Sequence, residues 1–190
     1  MIFHETKLNG AFVIDIEKRE DDRGFFARGW CKSEFEAHGL NASVVQTNIS
    51  FNKLRGTLRG MHYQADPAPE TKLVRCVRGS IYDVIVDVRP DSPTYLQWIG
   101  VELSAANYRM LYVPEHFAHG FITLEDNTEV TYQVTGFYTP ACERGARYND
   151  PAFGIEWPCE VRVISDKDAN WADYQPEAVV AGVNRQLVGV

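Results

Sequence analysis

Ile81-Tyr82-Asp83-Val84-Ile85-Val86-Asp87-Val88 alternates without a break, with Tyr82, Val84, Val86 and Val88 on one side and Ile81, Asp83, Ile85 and Asp87 on the other. A two-residue period marks a β-strand, whose successive side chains point to opposite faces. The two faces here are chemically unlike. Asp83 reads two ways: as a carboxylate turned inward near His119, or as a group facing solvent. Similar runs recur outward from this strand, at 11–16, 24–30, 43–51, 72–78, 95–103, 109–113, 120–124 and 129–136. Turn-forming clusters such as Arg78-Gly79, Arg89-Pro90-Asp91-Ser92-Pro93 and Glu125-Asp126-Asn127 separate many of them. That rhythm predicts an all-β sandwich or barrel. Helix is sparse. Ser33-Glu34-Phe35-Glu36 has the form of a capping box opening a turn or two that Gly39 closes in the left-handed conformation. A second short piece is expected at 168–174, with Trp171 and Tyr174 covering the barrel mouth.

A chain of 190 residues suits one domain, taken as 1–190, with a substantial core. Its net charge of −7 opposes binding to nucleic acid, and its cations occur singly, as at Arg23, Arg59, Lys72 and Arg75. Single cations suit the clamping of one small anion. Neither a secretory signal nor an apolar stretch near the ~20 residues of a bilayer span is present. A cytoplasmic protein with no membrane partner is expected. Cys31, Cys76, Cys142 and Cys159 lack CxxC spacing and are expected to be buried or inert thiols.

The chemistry concentrates in Leu58-Arg59-Gly60-Met61-His62-Tyr63-Gln64, followed by Lys72-Leu73-Val74-Arg75. Polar groups alternating with apolar ones in this way form one wall of a cavity. Downstream, Ala118-His119-Gly120-Phe121, Thr131-Tyr132-Gln133 and Ser165-Asp166-Lys167-Asp168 supply a second histidine, a tyrosine and carboxylates. Moving a proton at a carbon beside a ketone requires a base on one face, an acid on the other and a cation for the enolate oxygen. His62, Tyr132 and Lys72 are the matching residue types, and Asp168 is the candidate to hold the His62 tautomer. Two alternatives stay open. The run at 165–168 is otherwise a solvated turn, and His62, His116 and His119 together are otherwise a three-histidine metal site of a dioxygenase or metal-dependent sugar isomerase. Against the metal, Gln64 stands where a His-x-His pair needs its second imidazole, and amides bind transition metals poorly.

Further ordered blocks accompany these: Asp22-Arg23-Gly24-Phe25-Phe26, Gln46-Thr47-Asn48-Ile49-Ser50, Asp91-Ser92-Pro93-Thr94, Phe117-Ala118-His119-Gly120-Phe121, Asn149-Asp150-Pro151 and Gly154-Ile155-Glu156-Trp157-Pro158. Through them the chain, from about Phe12 to Asp168, resembles the dTDP-4-dehydrorhamnose 3,5-epimerase family of nucleotide-sugar epimerases. The resemblance implies a cupin-type double-stranded β-helix, a jelly-roll barrel with short peripheral helices. It also implies a nucleotide-diphospho-4-keto-6-deoxy sugar as substrate, inverted at C3 and C5 or at C3 alone, most simply dTDP-4-dehydro-6-deoxyglucose. By position it makes His62 the base, Asp168 its partner, Tyr132 the acid, and Lys72 and Arg59 the holders of enolate and pyrophosphate charge. Gln46, Asn48, His119, Tyr138 and Glu143 fall at substrate-binding positions, as do Phe26 and Arg28, with Arg23 reaching across from a neighbouring subunit. The family is a homodimer that exchanges amino-terminal strands and uses no metal or other cofactor. Two departures stand out. Phe25-Phe26-Ala27-Arg28 carries a cation where the family usually has Phe-Phe-x-Glu, and Pro114-Glu115-His116 replaces a Pro-x-Gly turn, so that turn is expected to be rebuilt.

Overall fold

The computed structural model describes residues 1–175. Its strands are β1 (Ile2–Glu5), β2 (Phe12–Asp15), β3 (Arg19–Asp21), β4 (Gly24–Phe26), β5 (Gln46–Asn52), β6 (Leu58–Gln64), β7 (Lys72–Arg78), β8 (Ser80–Asp87), β9 (Trp98–Ser104), β10 (Met110–Val113), β11 (Phe117–Thr123), β12 (Thr128–Val134) and β13 (Glu143–Gly145). Two short helices, α1 (Lys32–Ala37) and α2 (Asp166–Ala169), lie at the periphery. One antiparallel sheet has the order β1-β2-β10-β7-β12-β5, the other β13-β6-β11-β8-β9, and β3 with β4 forms a separate hairpin. From β6 to β8 and again from β9 to β12 the chain passes back and forth between the sheets. This is the cupin-type jelly roll that the sequence led us to expect.

The sheets face each other across a core drawn from both: Val74 and Cys76 of β7, Leu111 of β10 and Val130 of β12 meet Ile81, Ile85, Leu103, Phe117 and Phe121. β8 is covered on both sides. Its Val84 and Val86 pack beneath Ala146, Phe153 and Tyr174 from the carboxy-terminal segment. Asp83 and Asp87 on the other face are both fully buried, so the solvent-facing reading of Asp83 is set aside. The outer face of the larger sheet is partly covered by α1, where Phe35 with Leu40 and Ala42 packs on Ile14, Leu73, Met110 and Tyr112.

Several expectations need correction. α1 begins after Cys31, with no side-chain cap, so Ser33 is inside the helix and the capping box does not form. Glu34 instead accepts from the Met1 amine at 2.7 Å and from Arg28 at 2.8 Å. Those bonds hold its carboxyl down at about 2. Gly39 does close the helix at φ +71°. The turn at His116 is not rebuilt either, because the histidine itself adopts φ +58°. The expected tail helix lies earlier, at α2, and Tyr174 packs on Phe153 behind the smaller sheet rather than over the barrel mouth. β1 and β2 pair with each other, and β2 with β10, in their own chain's sheet. The β3–β4 hairpin is exposed at every residue of both strands, with Phe25 packed edge-on against Tyr108. No helix of the described residues is long and apolar enough to cross a membrane.

Asp87 organises the turn after β8 by accepting from the Arg89 backbone and guanidinium and from the Ser92 and Thr94 hydroxyls. Burial pushes its carboxyl up, but these bonds outweigh it and hold the group below its usual range. Its stabilisation is therefore full above the ordinary carboxylate value and fades as pH falls through the depressed one. Asp87→Asn is expected to cost about 3 kcal/mol in urea unfolding at pH 7. The difference from the parent should shrink below about pH 4. His116→Gly should relieve a left-handed residue worth about 1 kcal/mol and raise the melting temperature by roughly 2–4 °C.

Candidate active site

At one end of the barrel the sheets part into a cleft of about 600 Å³, within the usual size for small-molecule sites. The larger sheet supplies Gln46, Asn48 and Ser50 from β5, Lys72 from β7 and Tyr132 from β12; the smaller supplies Arg59, His62 and Gln64 from β6 and His119 from β11. Glu70, Tyr138, Glu143 and Asp168 add further polar groups, beside Ile49, Phe51, Tyr63, Phe121 and Val134.

Backbone proximity sets this arrangement. A Cβ at Gly60 would stand 2.5 Å from the Gly120 Cα, and one at Gly120 would stand 2.7 Å from the Met61 Sδ. Only glycines let β6 and β11 approach so closely, and Gly60 also takes φ +125°. Just beyond the contact His62 lies directly opposite His119. The Gly60 N–H donates to Asp168 Oδ2 at 3.1 Å, and His62 Nε2 meets Asp168 Oδ1 at 2.7 Å. Asp168 is in turn placed by α2, whose N-cap Ser165 accepts from the Asp168 amide. Burial pushes the Asp168 carboxyl up, yet His62, Gly60 and Lys167 together hold it below its usual range. An ionised carboxylate can only accept, so His62 Nε2 carries the proton and Nδ1 is left as the basic nitrogen.

His119 has the same kind of partner: its Nε2 meets Asp83 Oδ1 at 2.7 Å, on a carboxylate with no exposed surface. Across the cleft, burial foremost and then the nearby Glu70 raise the Tyr132 phenol above its ordinary value, with Arg59 opposing. Tyr132 thus stays a neutral donor well into the alkaline range. Lys72 is nearly buried, 3.4 Å from Glu70 and 3.5 Å from the His62 carbonyl oxygen. Arg59 crosses from one sheet toward the other and donates to Asn52 Oδ1 at 2.8 Å. Tyr138 donates to Glu143 at 3.1 Å, and Lys167 donates to the other oxygen of that carboxylate at 2.5 Å. Although burial works against it, those two bonds lower the Glu143 pKa.

His62, Lys72, Tyr132, Asp168, Gln46, Asn48, Arg59, His119, Tyr138 and Glu143 therefore line one cleft. Arg23, Phe26 and Arg28 do not reach this chain's cleft: Arg23 pairs with Asp21, Phe26 is 72% exposed, and Arg28 is spent on Glu34. His116 faces Asp66 at 3.6 Å and is absent from the lining. Among the described residues no three of His, Cys, Asp and Glu are grouped to hold a metal ion, so the convergence required by the three-histidine alternative is not met. Sequence reasoning missed Glu70, Asn52 and Lys167. Glu70 was within reach, because an extended chain puts it on the same side as Lys72 two residues on.

A sequence model described as dTDP-4-dehydrorhamnose 3,5-epimerase matches residues 5–175. A protein of that description from Methanothermobacter thermautotrophicus is 44% identical over 172 residues, covering 89% of this chain and 92% of its own. A crystal structure of dTDP-4-dehydrorhamnose 3,5-epimerase from Bacillus anthracis, with TDP and pyrophosphate bound, superposes with a TM-score of 0.87 at 42% identity, over 91% of this chain and 99% of the other. A 3'-monoepimerase from Streptomyces bikiniensis in complex with dTDP-quinovose superposes with a TM-score of 0.81 at 32% identity, covering 90% and 86%.

Gly120→Ala should destabilise the protein by about 1–3 kcal/mol through overpacking alone. Gly60→Ala adds the strain of its positive φ and should be the worse of the two in urea unfolding. Equal costs would show that backbone conformation at Gly60 is immaterial.

Proposed function

The chain belongs to the dTDP-4-dehydrorhamnose 3,5-epimerase family, and from that premise we propose a residue-level account of how it epimerises a dTDP-4-keto-6-deoxy sugar. His62 Nδ1 removes the proton beside the C4 ketone, with Asp168 holding the tautomer and balancing the imidazolium that forms. Lys72 and Arg59 meet the charge of the enolate and the pyrophosphate. Tyr132 returns a proton to the opposite face of the carbon. The observation that carries this account is that His62 and Tyr132 come from opposite sheets yet line one cleft. A base and an acid on facing walls invert a stereocentre, whereas two groups on one wall return the starting configuration.

Inversion at both C3 and C5 is the favoured outcome, with dTDP-4-dehydro-6-deoxyglucose as substrate. It requires the cycle to run twice, with the sugar turning between steps. Gln46, Asn48, His119, Tyr138 and Glu143 hold the substrate from within one chain. The working form is a cytoplasmic homodimer, each chain one domain, in which the exposed β3–β4 hairpin takes Arg23 and Phe26 to the partner's cleft. Support for that exchange is their placement, clear of their own cleft and largely exposed.

Turnover in deuterium oxide tests the chemistry: deuterium should enter C3 and C5 of the keto sugar, and entry at C3 alone would mark a single-centre enzyme. No incorporation above the enzyme-free rate would overturn the proposal. His62→Ala should lower kcat on the order of 100-fold or more. Tyr132 must be protonated to act and its pKa is raised, so the alkaline limb it sets in kcat should lie above about pH 10. Glu70→Gln should bring that limb down.

A further inference from the structure

We propose that Trp171 is a positioning residue for the reaction, an indole seated against His62 in the space that Gly145 leaves open. The inference rests on His62 being the base and adds what fixes its ring. A hydrogen bond from Nε2 to Asp168 anchors one atom of the imidazole and leaves the ring free to tilt about that anchor. The His62 side chain retains 32% of its surface, so this bond borders on water.

Trp171 meets the ring edge-on, with centroids 6.3 Å apart and planes at 65°. It comes three residues after Asp168, so the turn that brings the carboxylate to Nε2 also brings the indole to the ring. Gly145 lies directly across from His62 in the β13–β6 pairing. A Cβ at Gly145 would fall 2.2 Å from the indole, so any side chain there would evict Trp171. Lys167 sits 5.6 Å from the centre of the indole ring while holding Glu143. Trp171 Nε1 is enclosed with no hydrogen-bond partner among the described residues. The ring is therefore held by packing rather than by a directed bond, and that packing lies along β6 at the base. Two walls result: Asp168 sets where Nε2 is, and Trp171 restricts the tilt of the ring.

The test uses the full chain. Trp171→Ala should lower kcat about tenfold with KM changed less than about threefold, since no substrate-binding residue is replaced. Trp171→Phe should recover most of the loss. In histidine-labelled protein without substrate, the His62 Nε2 proton should give a far-downfield NMR signal that persists in Trp171→Phe and broadens away in Trp171→Ala. Gly145→Ala should reproduce the loss of kcat in the parent and cost nothing further in Trp171→Ala, because it acts by displacing the indole. Unchanged kcat and signal in Trp171→Ala would overturn the proposal. So would a Gly145→Ala loss that persists in full without the indole. The NMR signal does not depend on turnover. A mistaken assignment of His62 as base would appear separately, as isotope exchange that survives His62→Ala while the signal still responds to Trp171.

Discussion

Two strands pass closer together at Gly60 and Gly120 than any side chain would permit, and much of the site follows from that contact. It puts His62 opposite His119 and turns the Gly60 N–H toward Asp168. The amide, the imidazole and the carboxylate then satisfy one another, so a buried charge that would be costly alone is held by neighbours already in place. The carboxy-terminal turn thereby becomes part of the barrel wall rather than a loose extension. A chain with larger residues at these two points would have to separate β6 from β11 and lose the alignment of both histidines.

Around this seam the electrostatics drive acid and base apart. Asp168 and Glu143 are kept ionised against their burial by cations and hydrogen bonds, while Tyr132 is kept protonated by burial and by Glu70. One end of the barrel thus contains groups committed to accepting and a group committed to donating across a neutral pH range. The other end is filled by aliphatic and aromatic side chains from the same strands. β7 illustrates the division, with Lys72 in the cleft and Val74 and Cys76 in the core on the same face.

Much of this was legible in the chain because strand alternation is a strong local signal. β7 falls on the residues that its pattern predicts, and β8 ends within one residue of its prediction. β11 was harder: its start at Phe117 was hidden because His119 and Gly120 have little strand preference of their own, and pairing with β6 and β8 on both sides imposes it. The capping box at Ser33 failed because Glu34 finds stronger partners in the Met1 amine and Arg28. Within the site, the resemblance carried the convergence of residues as far apart as His62 and Asp168, which no local pattern reveals. Asn52 and Lys167 escaped because each acts by holding another side chain, Arg59 in one case and Glu143 in the other. Such supporting contacts leave no periodicity to read.

The bond between His62 and Asp168 spans 106 residues of chain. During synthesis the imidazole emerges from the ribosome long before its carboxylate is made. Loop closure over such a span is entropically expensive until the intervening strands have paired. A nascent barrel can therefore assemble its hydrophobic interior first and remain chemically silent, acquiring reactivity only when the turn that carries Asp168 docks.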